Sequence, residues 1–205
     1  MYALALHTTS PQLGLAISDF EGESRQQIWD LGRDLSTHLH LCLQEFLPPQ
    51  LWQDLVFLAV AKGPGSFTST RIGVVTARTL AQQLNIPLFA VSSLEALAWS
   101  ARSLPGDIVV EMAAQRQEVF GAAYRLDPDR GLLMPLLPET ALPIEIWQQK
   151  LESWPDPYHR LQAEVNLGAS AQAVLEIAHA QWRQGDRPDW SNALPFYGQH
   201  PVPQA

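Results

Sequence analysis

The stretch Lys62–Leu88 reads KGPGSFTSTRIGVVTARTLAQQLNIPL, and it follows the continuous apolar run Leu55–Val60, LVFLAV. Such a run is the pattern of a strand covered on both faces. The turn after it carries Gly63 and Gly65, which permit backbone angles that a Cβ forbids, with Pro64 stiffening the segment between them. Ser66 stands where it can cap a following helix, and Thr68 can do the same. The pattern predicts a helix over Phe67–Leu84, closed by Asn85-Ile86-Pro87. A short strand follows at Leu88–Val91, and Ser92-Ser93 caps another helix running to about Ser100. Gly63, Pro64, Gly65 and Ser66 are thus the elbow of a strand–turn–helix unit. In its helix, Ser69, Gly73, Ala77 and Ala81 recur every four residues and share one face. A ridge of small residues lets another helix approach closely.

Working outward from this unit, Tyr2–Leu6, Leu13–Asp19 and Ser24–Leu31 read as three strands joined by tight turns at Ser10-Pro11 and Glu21-Gly22-Glu23, an antiparallel meander. Ser36–Leu47 reads as a helix that Asp34 or Ser36 can cap. Its apolar residues Leu35, Leu39, Cys42 and Phe46, with Leu41, Leu43 and Leu47 beside them, exceed one amphipathic stripe, so it must bury more than one side. Pro48-Pro49 ends it. The order through Ser100 is β-β-β-α-β-α-β-α. Beyond it, Ile108–Met112 and Glu118–Tyr124 read as a hairpin. Asp127–Pro138 reads as loop or edge, Ile144–Ser153 and Asn166–Gln184 as helices, and Pro188–Ala205 as an extended Pro- and Trp-rich tail. Residues 1–103 are read as one α/β domain and 104–205 as a smaller α/β domain.

The chain has 205 residues, of which 46% are hydrophobic and 17% charged, enough apolar content for a real core. The net charge is -8 and the 13 Lys and Arg are scattered, so the basic patch of a direct nucleic-acid binder is missing. One cysteine, Cys42, excludes an internal disulfide. There is no basic, apolar leader and no run long enough to span a bilayer, and the expectation is a cytoplasmic protein with no membrane role.

The candidate chemistry is thin. A Gly-rich loop opening a helix is a natural anion site, but the GK[ST] ending of a P-loop is absent and the GxGxxG register fails. Ser66 has no G-x-S-x-G context, which argues against a peptidase. His38 and His40 are two apart on a helix and cannot chelate as an i, i+4 pair would. Cys42 reads as a buried, inert thiol. Arg71 and Arg78 share one helix face, either as a solvated rim or as partners for another chain's carboxylates. For the elbow itself, a packed core helix and a helix–helix partner site both remain open on these patterns.

KGPGSFTSTRIGVVTARTLAQQLNIPL followed by VSSLEALA closely resembles the TsaB (YeaZ) family pattern GPGSFTGxRIG, helix, strand, SSLEALA, with Ser69 where the family has Gly. LALHTTSPQLGLAI, STHLHLCLQEFL and AAQRQEVFGAAY resemble the family's first hairpin, first helix and DARRGEVY segment, and PFYGQHP its closing motif more loosely. The resemblance implies an actin/Hsp70-like (ASKHA, ribonuclease H-like) α/β fold, with a complete N-terminal domain and a truncated C-terminal one. It implies a non-catalytic subunit that activates a TsaD-type transferase, works with a TsaE-type ATPase, and helps modify the adenosine next to the anticodon of tRNA. It also implies a homodimer when alone, only indirect contact with tRNA, and no cofactor of its own, ATP and metal belonging to partner subunits. The expected partner face lies on the two N-terminal helices: Leu39, Cys42, Leu43, Phe46, Ser69, Thr70, Gly73, Val74, Ala77, Arg78 and Ala81. His7 and Ala113 stand where the pattern has aspartates, which weakens any nucleotide role, since neutral imidazole is a poor Mg²⁺ ligand. The alternatives are a stand-alone actin-like ATPase or kinase and, more remotely, a peptidase.

Overall fold

The computed structural model describes residues 1–198. Strands β1 (Tyr2–His7), β2 (Gln12–Ser18) and β3 (Ser24–Asp30) form the antiparallel meander, with Ala5 opposite Ala16 and Leu15 opposite Gln27. β4 (Leu55–Ala61) and β5 (Leu88–Val91) add in parallel on the other side of β1, giving the order β3-β2-β1-β4-β5. Parallel neighbours need crossover helices. α1 (Leu35–Phe46) lies between β3 and β4, and α2 (Phe67–Leu84) between β4 and β5.

Both faces of this sheet are covered, which is why β1 and β4 read as unbroken apolar runs. Leu4, Leu6, Leu58 and Val60 join Leu39, Leu43, Val74 and Ala77 of α1 and α2 in one buried cluster. Ala3, Ala5, Ala59 and Ala61 join α3 (Ser93–Trp99) and α5 (Ala171–Arg183) in another. That second face is floored with alanine, so α5 can lie close to it. Asp34 occupies the N-cap of α1, behind a 3₁₀ turn at Gly32–Asp34, but its side chain makes no capping bond.

The second sheet has the order β8-β7-β6-β9. β6 (Asp107–Ala113) and β7 (Glu118–Asp127) are the expected hairpin, extended at its ends. The segment read as loop or edge is β8 (Leu132–Pro143), an edge strand on β7, and β9 (Tyr158–Gln162), which the sequence reading missed, lies parallel to β6. α4 (Ile144–Glu152) seats the buried Trp147 on β7, where a Cβ at Gly121 would meet the indole ring at 2.5 Å. The indole Nε1 donates to Glu111 Oε2 at 2.6 Å. α5 then returns to the first sheet, and residues 188–198 run back beside it as a strap. Leu88 N donates to Pro188 O at 3.2 Å near one end, and Phe196 N donates to Lys62 O at 2.7 Å near the other. A five-stranded sheet covered by helices on both faces, beside a smaller second sheet, is the actin/Hsp70-like α/β arrangement.

Candidate functional site

The elbow ties three segments together. Gly63 has φ +107°, and the Phe196 carbonyl occupies the space a Cβ would need; a Cβ on Gly65 would run into Thr9. Ser66 N donates to Thr9 O at 2.7 Å, Ser93 N donates to Gly63 O at 2.8 Å, and the Thr9 and Ser93 hydroxyls meet at 3.0 Å. Pro64 is buried behind them. Ser66 holds the N-cap position of α2 with extended angles, but its hydroxyl donates to Ser69 Oγ at 3.1 Å rather than capping. Its backbone carbonyl accepts from both the N–H and the hydroxyl of Thr70. Ser92 does cap α3, accepting from Leu94 N at 3.2 Å.

The expected partner face is corrected by burial. Leu39, Cys42, Leu43 and Phe46 on α1, and Thr70, Gly73, Val74, Ala77 and Ala81 on α2, are all buried within the chain's own fold. Ser69 is half-buried and its carbonyl accepts from Thr8 Oγ1 at 2.9 Å. The small-residue ridge of α2 therefore faces the sheet: a Cβ on Gly73 would collide with the Thr8 side chain. At Gly73 the close approach is to Thr8, just past the end of β1, within the chain's own fold. The faces of α1 and α2 open to solvent carry other residues: Leu41, 49% exposed, on α1, and Phe67, 41%, and Val75, 57%, on α2, with Arg71 and Thr79 beside them.

Both arginines of α2 sit over rings of the chain itself. The Arg71 guanidinium lies 5.7 Å from the Phe67 ring and that of Arg78 5.8 Å from Trp190. Trp190 belongs to the strap, as do Phe196, which meets Phe120 edge-on at 6.5 Å, and Tyr197, which packs on Phe67 at 4.5 Å. In the sequence Trp190 falls in the tail read as extended, and Phe196 and Tyr197 in the closing motif PFYGQHP. The last three residues of PFYGQHP, Gln199, His200 and Pro201, lie outside the described residues.

Between the elbow and the β6–β7 turn lies a cavity of about 660 Å³, lined by Ser66, Phe67, Thr68, Ala113, Arg116 and Tyr197 among others. Among the described residues no Asp or Glu lines it. His7 is fully buried, on the same face of β1 as Ala3 and Ala5 by the two-residue repeat of a strand. Neither ring nitrogen has a hydrogen-bond partner among the described residues, and burial pushes its pKa down to about 4, so the imidazole is neutral at pH 7. Ala113 is exposed at the cavity wall. His38 and His40 are exposed on α1, with a contact of 3.2 Å between His38 Nδ1 and Asp34 O. Burial raises the Cys42 thiol pKa, the neighbouring Glu45 adding to it. Among the described residues no three His, Cys, Asp or Glu side chains are grouped to hold a metal, and no helix is long and apolar enough to cross a membrane.

Residues 50–130 match the family described as TsaD: tRNA N6-adenosine threonylcarbamoyltransferase. Over 169 residues the chain is 35% identical to the tRNA threonylcarbamoyladenosine biosynthesis protein TsaB of Bacillus subtilis, covering 82% of this chain and 73% of that protein. It is 31% identical over 128 residues to the TsaB of Escherichia coli, covering 60% of this chain and 55% of the other. The structure of YeaZ from Pseudomonas aeruginosa superposes with a TM-score of 0.78 at 24% identity, covering 96% of this chain and 100% of that one, a likeness of fold.

Proposed function

Because this chain belongs to the TsaB family of tRNA threonylcarbamoyladenosine biosynthesis proteins, we propose that it serves that modification as a non-catalytic subunit that docks on a TsaD-type transferase. The observation that carries the reading is the outward face of α1 and α2. After both helices have buried an apolar face on the sheet, Leu41, Phe67 and Val75 still stand 41–57% exposed. Single exposed apolar residues are ordinary on a surface; three on two adjoining helices, with Arg71 beside them, have the composition of an interface centre. The same face serves for self-pairing when the chain is alone.

The non-catalytic part of the proposal draws on the cavity. The position that would hold a metal-binding carboxylate on β1 is a buried neutral imidazole, and its counterpart on β6 is Ala113. ATP and metal are then expected on the transferase and on a TsaE-type ATPase, with tRNA reached through those subunits. Reconstitution tests this. A tRNA reading ANN codons should be threonylcarbamoylated by the transferase and ATPase from the same source only when this chain is present. The chain by itself should neither bind nor hydrolyse Mg²⁺-ATP at millimolar nucleotide. Hydrolysis by the isolated chain would instead favour the second reading, an actin-like ATPase or kinase, for which the open 660 Å³ cavity is the one supporting feature.

A further inference from the structure

The strap and α2 run side by side. Tyr197 packs on Phe67 with 4.5 Å between ring centroids, and Trp190 lies under the guanidinium of Arg78. The 3₁₀ turn at Trp190–Asn192 packs on α2 as well. Residue 197 is thus level with residue 67 and residue 190 with residue 78, so the strap passes α2 in the opposite direction over about 16 Å of helix. It is held along the way. Ala193, 1% exposed, is buried in the cluster that α1 and α2 share with the first sheet. At the elbow Phe196 N donates to Lys62 O at 2.7 Å, and the Phe196 carbonyl fills the space that a Cβ on Gly63 would need. Between these anchors Leu194 stands 61% exposed, comparable with Val75 of the helix at 57%.

The charge along these two segments is unlike that of the chain as a whole. The molecule carries a net charge of -8, yet α2 holds Arg71 and Arg78 and no acid. Neither arginine has a carboxylate partner among the described residues; each lies over a ring, Arg71 at 5.7 Å from Phe67 and Arg78 at 5.8 Å from Trp190. A guanidinium stacked on a ring keeps its N–H edge free to bind a carboxylate. Asp189, the acid of the strap, already accepts from the N–H and the hydroxyl of Ser191. Phe67, Arg71, Val75 and Arg78 follow the i, i+4, i+8, i+11 spacing of a single helix stripe. The two arginines lie about two turns, or about 10 Å, apart along it.

We propose that α2 and the strap form one docking surface, and that its occupant is a helix of the transferase carrying two carboxylates about two turns apart with an apolar residue between them. The inference rests on the docking role proposed above and adds to it the strap and the chemistry of the partner. Arg71 and Arg78 bind the two carboxylates, and the apolar residue seats against Val75. Tyr197 backs Phe67, so that the two rings form an aromatic anchor at the elbow end. Aromatic and Arg side chains are the usual energetic centres of an interface. A second copy of this chain fits the surface poorly. Its α2 would bring arginine against arginine, and its α1 offers Glu45 alone, with Asp34 at the N-cap eleven residues earlier. Like charges set against each other across an interface cost affinity and turn away the wrong partner.

Calorimetric titration of the full chain into the TsaD-type transferase of the same source tests the proposal. For the wild type the dissociation constant should rise at least about tenfold between about 50 and about 500 mM NaCl. At the lower salt, Arg71→Glu with Arg78→Glu should weaken binding at least about a hundredfold, and Tyr197→Ala about tenfold. Circular dichroism shows first that each variant folds; should one fail to, the salt dependence of the wild type decides. An affinity that does not change with salt, or either folded variant binding as the wild type does, overturns the proposal while leaving the docking role in place. An arginine variant that binds the transferase normally but no longer self-associates gives the surface to a second copy, and the proposal falls. Absence of any complex with the wild type overturns the docking role itself and this inference with it.

Discussion

At Gly73 a hydrogen in place of a methyl lets α2 rest on Thr8, and the chain has no room for anything larger there. His7, at the end of the same strand, is the opposite case, a large polar ring enclosed without a partner. Its pKa falls to about 4 from the ordinary 6.5 by burial, so the folded state binds fewer protons than the unfolded one between those values. Stability contributed by neutral His7 is thus complete above pH 6.5 and lost as the pH falls toward 4. Glu95 of α3, raised to about 7 by burial and then by the Glu139 charge, acts with the opposite sign over nearly the same range, so the two nearly cancel in the wild type. In Glu95→Gln the opposing group is gone, and His179, lowered by burial and then by the Arg183 charge, acts with the same sign as His7. Denaturant unfolding of that variant should show stability about 2 kcal/mol lower at pH 5 than at pH 7. An unchanged unfolding midpoint would mean that His7 takes up a proton inside the fold without cost.

On the scale of elements, α2 has two faces that the sequence pattern alone does not tell apart. The stripe Ser69–Gly73–Ala77–Ala81 marks close approach, and small residues serve equally for packing on a partner helix and on a sheet of the same molecule. What decides is Thr8, the residue after β1, which projects into the gap. Two substitutions to glutamate on this helix separate the faces. Ala77→Glu places a carboxylate at a fully buried site and should cost several kcal/mol, enough to unfold the chain at room temperature. Val75→Glu, two residues earlier on the exposed face, should leave the melting temperature within about 2–4 °C of wild type. Equal melting of the two variants would contradict the orientation of α2. The element boundaries of the first half were legible because its strands are continuous apolar runs and its helices end at Asn85 and at Pro48-Pro49. The second half was less so. β8 carries Pro135, Pro138 and Pro143, which an edge strand tolerates but which reads as loop. β9, YHRLQ, is short and polar, and only its pairing with β6 makes it a strand.

At the scale of the whole molecule, the elbow, the β6–β7 turn and the strap line an open cavity that, among the described residues, carries no acid. The family was legible in the sequence because the elbow and its helix form one long motif, and the chain belongs to that family. Which surface the proposed transferase would meet was not legible. Orientation depends on which residues the fold buries first, and it buries nine of the eleven expected at the partner face. Among the large apolar residues of α1 and α2, Leu41, Phe67 and Val75 stay exposed, and the proposed docking is placed on these three. The most direct test is co-elution of this chain with the TsaD-type transferase of the same source on size exclusion with light scattering, using Leu41→Glu and Val75→Glu together. The account predicts a stoichiometric complex for the wild type and separate peaks for the double variant, with the melting temperature of the variant preserved. A double variant that folds and still co-elutes in full would contradict it.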